Sequence, residues 1–211
     1  MKFRLLIHIV ILALAPFAVV RSVMADSYKS TETPKYIVER TDGPVEIRQY
    51  APRIVAEVSV SGSQSQAVSA GFRVLAGYIF GGNDGNAKVA MTSPVTQVPG
   101  QSIAMTTPVT QMARDGNWLV QFTMPSSYTL ETLPKPRDGN IRFVTMPTQR
   151  QIVLRFSGFS GAGVTANKEG VLRSWARGQA IAVTAGPFYY FYDAPWTLPW
   201  NRRNEVAFVV P

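Results

Sequence analysis

Apolar positions recur along this chain with two different periods, and the switches between them mark the elements. From Arg53 to Val60 every second residue is apolar, which puts Ile54, Ala56, Val58 and Val60 on one face of a strand. Two shorter strand patterns precede it, Tyr36 to Glu39 and Val45 to Tyr50, separated by the turn-forming run Asp42-Gly43-Pro44. From Gln64 to Phe80 the period lengthens. Val68, Phe72, Leu75 and Ile79 follow at i, i+4, i+7 and i+11, one face of a helix, and Gly81-Gly82 ends it. A second stripe, Ala67, Gly71, Val74 and Tyr78, lies beside the first, so the apolar surface is wide enough to meet more than one partner. Core packing and a ligand wall both fit that pattern.

The middle of the chain holds an internal repeat. VAMTSPVTQ (Val89 to Gln97) returns as IAMTTPVTQ (Ile103 to Gln111) after a fourteen-residue step, with Val98-Pro99-Gly100 as a turn between. Proline cannot donate to a strand ladder, so each copy reads as a short strand that ends at a sheet edge or a turn. Two copies of so short a unit do not make a solenoid, which leaves a hairpin or paired loops. Trp118 to Met124, Asn140 to Val144, Gln151 to Phe156, Ala180 to Ala185, Phe188 to Tyr192 and Glu205 to Val210 are further strand patterns. A second helix is predicted over Ala166 to Arg177, with Val171, Leu172, Trp175 and Ala176 inward. Many short strands, two helices and no strand–helix–strand alternation indicate an α+β domain with antiparallel pairing.

The first residues change the compartment expected for it. Lys2 and Arg4 precede an apolar run from Leu5 to Val20, and Val23-Met24-Ala25 presents the small-residue pattern of a cleavage site. Residues 1–25 therefore read as a secretory signal peptide, and the protein is expected in the periplasm or outside the cell. The other reading of the run is an uncleaved anchor, but it contains Pro16 and falls short of the roughly 20 residues a spanning helix needs. Residues 26–34 (DSYKSTETP) read as a flexible leading segment, and residues 35–211 as one domain.

Composition removes several chemistries. The chain has no cysteine and a single histidine, His8, which lies inside the signal segment. Beyond it there is neither thiol nor imidazole for a Ser-His-Asp or Cys-His site or a structural zinc, and the commonest haem ligands are missing too. No nucleophile elbow or phosphate-binding glycine loop is present either, and Gly81-Gly82-Asn83-Asp84-Gly85 follows a helix rather than a strand. These absences point to a binding protein rather than an enzyme. The formal net charge is +8, yet the basic residues are scattered singly, so no nucleic-acid partner is expected.

Several motifs in order along the chain carry a resemblance. They are YIVERTDGPVEIRQYAPRIVAEV, the two repeat copies, FTMPSSYTLETLPKPRDGNI, VLRFSGFSG and YYFYDAPWTLPWNRRNEVAF. Together they resemble the SOUL haem-binding family from Lys35 to Val210. The resemblance implies a distorted barrel of two antiparallel β-sheets flanked by two α-helices, in pseudo-symmetric halves. It also implies that haem or another tetrapyrrole binds in a shallow apolar cleft beside the first helix. Family members that ligate iron through a histidine before that helix have no counterpart here.

A tetrapyrrole is a flat apolar disc with two carboxylates, so its cleft needs aromatic walls and a basic rim. The first helix offers Phe72, Leu75, Tyr78 and Ile79 as walls, with Arg73 as a propionate partner. The aromatic segment Phe188 to Tyr192, and Tyr189 in it, offers a facing wall. Tyr78 is the preferred ligand or stacking residue of that set. Met91 and Met105, equivalent in the repeat, are either thioether ligands or adaptable core fillers. Trp196, Pro199 and Trp200, followed by Arg202 and Arg203, form either a hydrophobic lip with carboxylate-binding guanidiniums or a packed loop. The expected function is an exported haem carrier or buffer. The alternatives are a binding module for another apolar molecule or lipid, and an enzyme acting on a porphyrin or lipid without histidine or cysteine.

Overall fold

The computed structural model describes residues 27–99, 117–194 and 196–211. The signal segment and the second repeat copy, Met105 included, lie outside the described residues. The chain opens with a two-stranded ribbon, β1 (Ser27–Tyr28) and β2 (Thr31–Glu32). The flexible segment expected at residues 26–34 is thus in part paired backbone, fastened to the body because Tyr28 and Lys29 both bond to Asp193. Next come β3 (Tyr36–Asp42), β4 (Val45–Tyr50), β5 (Arg53–Ser61) and helix α1 (Gln64–Ile79). Strands β6 (Val95–Pro99), β7 (Asn117–Thr123), β8 (Arg142–Met146) and β9 (Gln149–Phe156) follow, then helix α2 (Ala162–Gly178), β10 (Ala185–Phe191) and β11 (Asn204–Val209).

The α+β class and both helices are as the sequence indicates. In place of two separate sheets, β3 to β11 make one antiparallel sheet of nine strands in the order β3-β4-β9-β11-β10-β6-β7-β5-β8, and it does not close. Each half carries one helix, α1 on β5 and β7, α2 on β9 and β11. Among the described residues, three ladder pairs join the halves: Tyr189–Gln97, Tyr190–Thr96 and Phe191–Val95, between β10 and β6.

Strand register shows how the faces divide. One row of laterally paired residues crosses seven strands as Val58, Val120, Gln97, Tyr189, Val206, Leu154 and Val45. Side chains alternate along a strand, so this row and its even-spaced neighbours face the helices. The adjacent row, Glu57, Gln121, Thr96, Tyr190, Glu205 and Arg155, faces the other way and is polar. The helix-side core is accordingly split in two. Leu75, Tyr78 and Ile79 of α1 pack with Ala56, Val58 and Val120, while Leu172 and Ala176 of α2 pack with Ile152, Val206 and Phe208.

Local chemistry starts α1 where it does. Ser63 precedes it, and the Gln66 side chain reaches back to accept the Ser63 N–H at 3.1 Å, a reciprocal cap. The buried face of α1 runs through Ala67, Gly71, Leu75 and Tyr78, with Ile79 beside it, and Phe72 is 37% exposed. The stripe through Val68 and Phe72 is therefore the helix's shoulder rather than its seat. Gly71 explains the rotation. A Cβ placed there would lie 2.5 Å from the Val120 side chain, so α1 rests almost directly on β7. On α2, Leu172 and Ala176 are buried and Trp175 partly so, whereas Val171 is 49% exposed.

Replacing Gly71 by alanine forces α1 off β7. We expect a loss of about 1–3 kcal/mol in folding free energy, the usual cost of overpacking, read from the urea midpoint. An unchanged midpoint would show that the helix and strand are less closely seated than described.

Candidate functional site

The outward face of the sheet buries a carboxylate. Glu205 of β11 is 1% exposed and sits between two guanidiniums. Arg48 of β4 donates to both its oxygens, Nη1 to Oε2 at 2.8 Å and Nη2 to Oε1 at 3.0 Å. Arg203 donates to Oε1 from Nε at 2.9 Å and from Nη2 at 2.7 Å. Tyr192 adds its hydroxyl at 3.1 Å, and the Tyr36 ring lies under Arg48 at 4.4 Å. Burial pushes the Glu205 carboxyl up, but Arg48 and Arg203 outweigh it and hold it below the ordinary value. The same burial raises the phenols of Tyr50, Tyr190 and Tyr192, so all three stay protonated at neutral pH.

Above this network the end of the sheet opens into a cleft of about 460 Å³. Tyr28 and Trp200 supply aromatic side chains and Arg155, Arg202 and Arg203 guanidiniums, that of Arg203 paired with Glu205, while the Phe156 ring turns to the α2 core under Lys168 at 5.7 Å. No carboxylate-bearing residue lines it. Each wall is held by neighbours in the fold. Gly158, in the turn after β9, donates its N–H to the Pro199 carbonyl at 2.8 Å and accepts from Asn204 Nδ2 at 3.1 Å. Arg202 Nε donates to the Thr197 carbonyl at 2.7 Å, and Asp193 accepts the Arg203 N–H at 2.7 Å. The turn after β9 and the loop before β11 are thereby tied together, and their apolar tips stand out. Phe159, Trp196, Leu198 and Trp200 are 68%, 85%, 53% and 69% exposed. The two readings of the loop each hold in part: its tryptophans stand out as a lip, while Arg203 is buried and pairs with Glu205 as in a packed loop.

The six residues chosen from the sequence do not line one cleft. Leu75, Tyr78 and Ile79 are buried in the α1 core. The Tyr78 hydroxyl donates to the Pro134 carbonyl at 3.0 Å, its ring meets Phe143 edge-on at 5.6 Å, and burial pushes the phenol up to about 12. It is a core residue with its polar end satisfied. Tyr189 lies in the α2 core instead, its hydroxyl donating to Glu169 at 2.8 Å. Phe72 and Arg73 remain at the surface of α1, Phe72 edge-on to Phe122 at 5.4 Å. Met91 is 40% exposed and lines neither cavity. The cleft residues that the sequence did not single out include Tyr28, Arg155 and Phe156. The motif VLRFSGFSG, which contains Arg155 and Phe156, was the signal available for two of them.

A second cavity of about 430 Å³ lies between the β2–β3 connection and residues 123–131. Ile54, Met124 and Tyr128 line it with Arg53 and Lys35, but Glu32 and Glu131 line it too. Carboxylates line this cavity directly, whereas at the first cleft Glu205 and Asp193 sit behind the lining, bonded to Arg203 and Tyr28.

Comparison with known proteins places this architecture. A family model described as SOUL heme-binding protein matches residues 31–209. The chain belongs to the SOUL haem-binding family. Curated relatives of this SOUL chain include heme-binding protein 2 of Homo sapiens, 28% identical over 191 residues, covering 84% of this chain and 85% of that one. Heme-binding protein 2 of Mus musculus is 27% identical over 173 residues, covering 80% and 79%. Among solved structures, the EcmrR C-terminal domain superposes with a TM-score of 0.60 at 13% identity, over 79% of the SOUL chain and 96% of the domain. A hydrolase from Listeria innocua does so with a TM-score of 0.54 at 10% identity, over 82% and 94%. At such identities these two show the fold alone.

Removing the charge of Glu205 leaves Arg48 and Arg203 buried without a counter-ion. Glu205→Gln is expected to cost about 3–5 kcal/mol at neutral pH. Because the folded-state value is depressed, the stabilisation is full above the ordinary carboxyl value of 4.5 and is lost as pH falls below it. Urea midpoints of both proteins across that range should converge on the acid side. A gap independent of pH would mean the carboxylate charge is not what holds the network.

Proposed function

We propose that this chain binds haem or a related tetrapyrrole in the cleft beside Tyr28 and Trp200, and works as an exported carrier or buffer rather than as an enzyme. The observation that carries the location is the cleft's charge: three arginines and no acidic residue line an aromatic-walled opening of about 460 Å³. A porphyrin presents a flat apolar face and two carboxylates, and arginine forks match carboxylates. Trp200 and the exposed lip of Trp196 and Leu198 would cover ring surface, and Arg155 and Arg202 would meet propionates. Membership of the haem-binding family and the names of its human and mouse relatives support the ligand class. When bound, the iron supplies the redox and ligand chemistry, and the chain supplies enclosure and charge.

A binding role also suits the side chains available. After His8 there is no imidazole or thiol, so proton transfer and nucleophilic attack would fall to tyrosines, lysines and carboxylates. Among the described residues no cluster of three or more His, Cys, Asp or Glu is placed to hold a metal ion. Export rests on the amino-terminal pattern, Lys2 and Arg4 before an apolar run and Val23-Met24-Ala25 after it. A carrier outside the cytoplasm needs no cysteine redox partner, and this chain has none to offer.

Haemin titration of the purified chain, followed by absorbance, should saturate at one equivalent. Trp200→Ala is expected to weaken it about tenfold, or about 1.4 kcal/mol, the scale of one lost aromatic contact. Phe72→Ala and Tyr78→Phe should leave it unchanged. Weakening by Phe72→Ala without weakening by Trp200→Ala would move the ligand to α1 and overturn the location. Intact-mass measurement of the exported protein, expressed with its own leader, should give a chain beginning at Asp26. Recovery of the full-length chain in the membrane fraction would overturn the cleavage.

A further inference from the structure

Among the described residues five large apolar side chains are more than half exposed, and four of them stand on one edge of the molecule: Phe159, Trp196, Leu198 and Trp200. The fifth, Phe80, directly follows α1. Phe159 belongs to the turn after β9 and the other three to the loop between β10 and β11, and the hydrogen bonds of Gly158 to Pro199 and Asn204 hold the two segments together. The loop is also braced from within. Thr197 N–H donates to the Ala194 carbonyl and Asn201 N–H to the Leu198 carbonyl, both at 2.9 Å, and Pro199 opens a short 3-10 turn. Bulky apolar tips gathered on a braced edge mark an interaction surface. The chain's four tryptophans divide accordingly. Trp118 donates its Nε1–H to the Gly62 carbonyl at 3.1 Å and Trp175 donates to Asp42 at 2.9 Å, whereas Trp196 and Trp200 make no such bond among the described residues.

We infer that this edge docks the protein on an anionic phospholipid surface, its aromatic tips entering the interfacial layer and the arginines behind them meeting phosphates. Charge complementarity favours that occupant. Arg155 and Arg202 line the same cleft as Trp200, and Arg155 is exposed and makes no ion pair among the described residues. The carboxylates behind the lining, Glu205 and Asp193, are bonded to Arg203, Tyr28 and Lys29, so they present no free negative charge to a phosphate. Residue type favours it too. Tryptophan suits a boundary where its ring meets hydrocarbon while its N–H stays among wet head groups, and a dry protein contact would have to supply each indole with an acceptor. Among the described residues no helix is long and apolar enough to cross a membrane, so the attachment is peripheral, the sum of apolar insertion and attraction to anionic lipid. The docking needs no haem in the cleft and stands apart from that reading.

The test is sedimentation of the haem-free exported chain with mixed vesicles of phosphatidylcholine and phosphatidylglycerol, read together with tryptophan quenching by bromine-labelled acyl chains. All four tryptophans follow the leader, so their emission reports on the domain. The wild type should sediment with the mixed vesicles, less with pure phosphatidylcholine and less in high salt, and its emission should be quenched. Trp196→Ser combined with Trp200→Ser should lower the partition coefficient about tenfold and leave the remaining emission unquenched, with circular dichroism unchanged. Arg155→Gln should weaken partition into the mixed vesicles about fivefold, the worth of one basic residue beside an anionic surface, and should not alter partition into pure phosphatidylcholine. Phe72→Ala, on α1, should change neither. A wild type that does not sediment with the mixed vesicles, or sedimentation that the double substitution leaves untouched, would overturn the inference. Light scattering that shows a dimer dissociated by the double substitution, with no vesicle binding, would give the edge to a second copy of the chain instead. Loss of the haem reading in the titration above would leave the docking standing, since no haem enters this experiment.

Discussion

The Glu205 carboxylate, buried between Arg48 and Arg203, is the constraint on which the sheet's outer face depends. A buried carboxylate is tolerated only with partners that replace its hydration, and here they come from both sides. Arg48 lies on β4 and Glu205 on β11, with β9 running between them in the sheet. The ion pair therefore spans an intervening strand and pins its neighbours. Tyr36 and Tyr50 bring in β3 and β4, Tyr192 follows β10, and Arg203 carries on to Tyr28 in the amino-terminal ribbon. One charge is thus wired into four strands and the residue that follows a fifth. It also sets the floor of the cleft, because Arg203 belongs to both network and lining.

The two faces of the sheet solve opposite problems. Toward the helices the lateral row is apolar except at Gln97, where the halves meet. Gln97 Nε2 donates to the Gln64 carbonyl at 2.9 Å, and the Gln64 side-chain oxygen accepts from Thr165 of α2 at 3.1 Å. This polar link ties the starts of both helices to the seam between the halves, where three ladder pairs join β10 to β6. Away from the helices the row is polar, and Glu57–Gln121 and the Glu205 network satisfy it from within. The sheet is a single one because both rows run unbroken across that seam.

Strand and helix periods were legible where one face of an element meets one environment. β4 has the bounds the sequence indicates, Val45–Tyr50, and α1 stops within a residue of the glycines that were read as its end. The orientation of α1 was not legible, because periodicity weights bulky residues and a helix pressed onto a strand seats its small ones. Ala67 and Gly71 face β7, and Phe72 is turned to the edge. α2 begins earlier than its apolar pattern, at Ala162, and residues 180–184 form no strand although they alternate. The site was hidden for another reason. Its residues come from positions 28, 44, 155–157 and 200–203, brought together by pairing between distant strands. Only the last group stood out as a cluster of tryptophan and arginine.

A protein without histidine or cysteine in its folded domain must retain an iron porphyrin by other means, and the geometry supplies them in order of strength. Apolar cover comes first, since each buried square ångström of ring contributes about 25 cal/mol, and at the proposed cleft the exposed Trp200 would give it. Guanidinium–carboxylate pairing comes second, and its net worth depends on how little must be reorganised to form it. Arg203 is immobilised by Glu205, and Arg202 by the Thr197 carbonyl, so neither pair of rotamers is lost on binding. Arg155 is exposed and has still to be ordered. Fixed cations around an apolar opening also attract any amphipathic anion of similar size, so enclosure and pairing alone select weakly for haem.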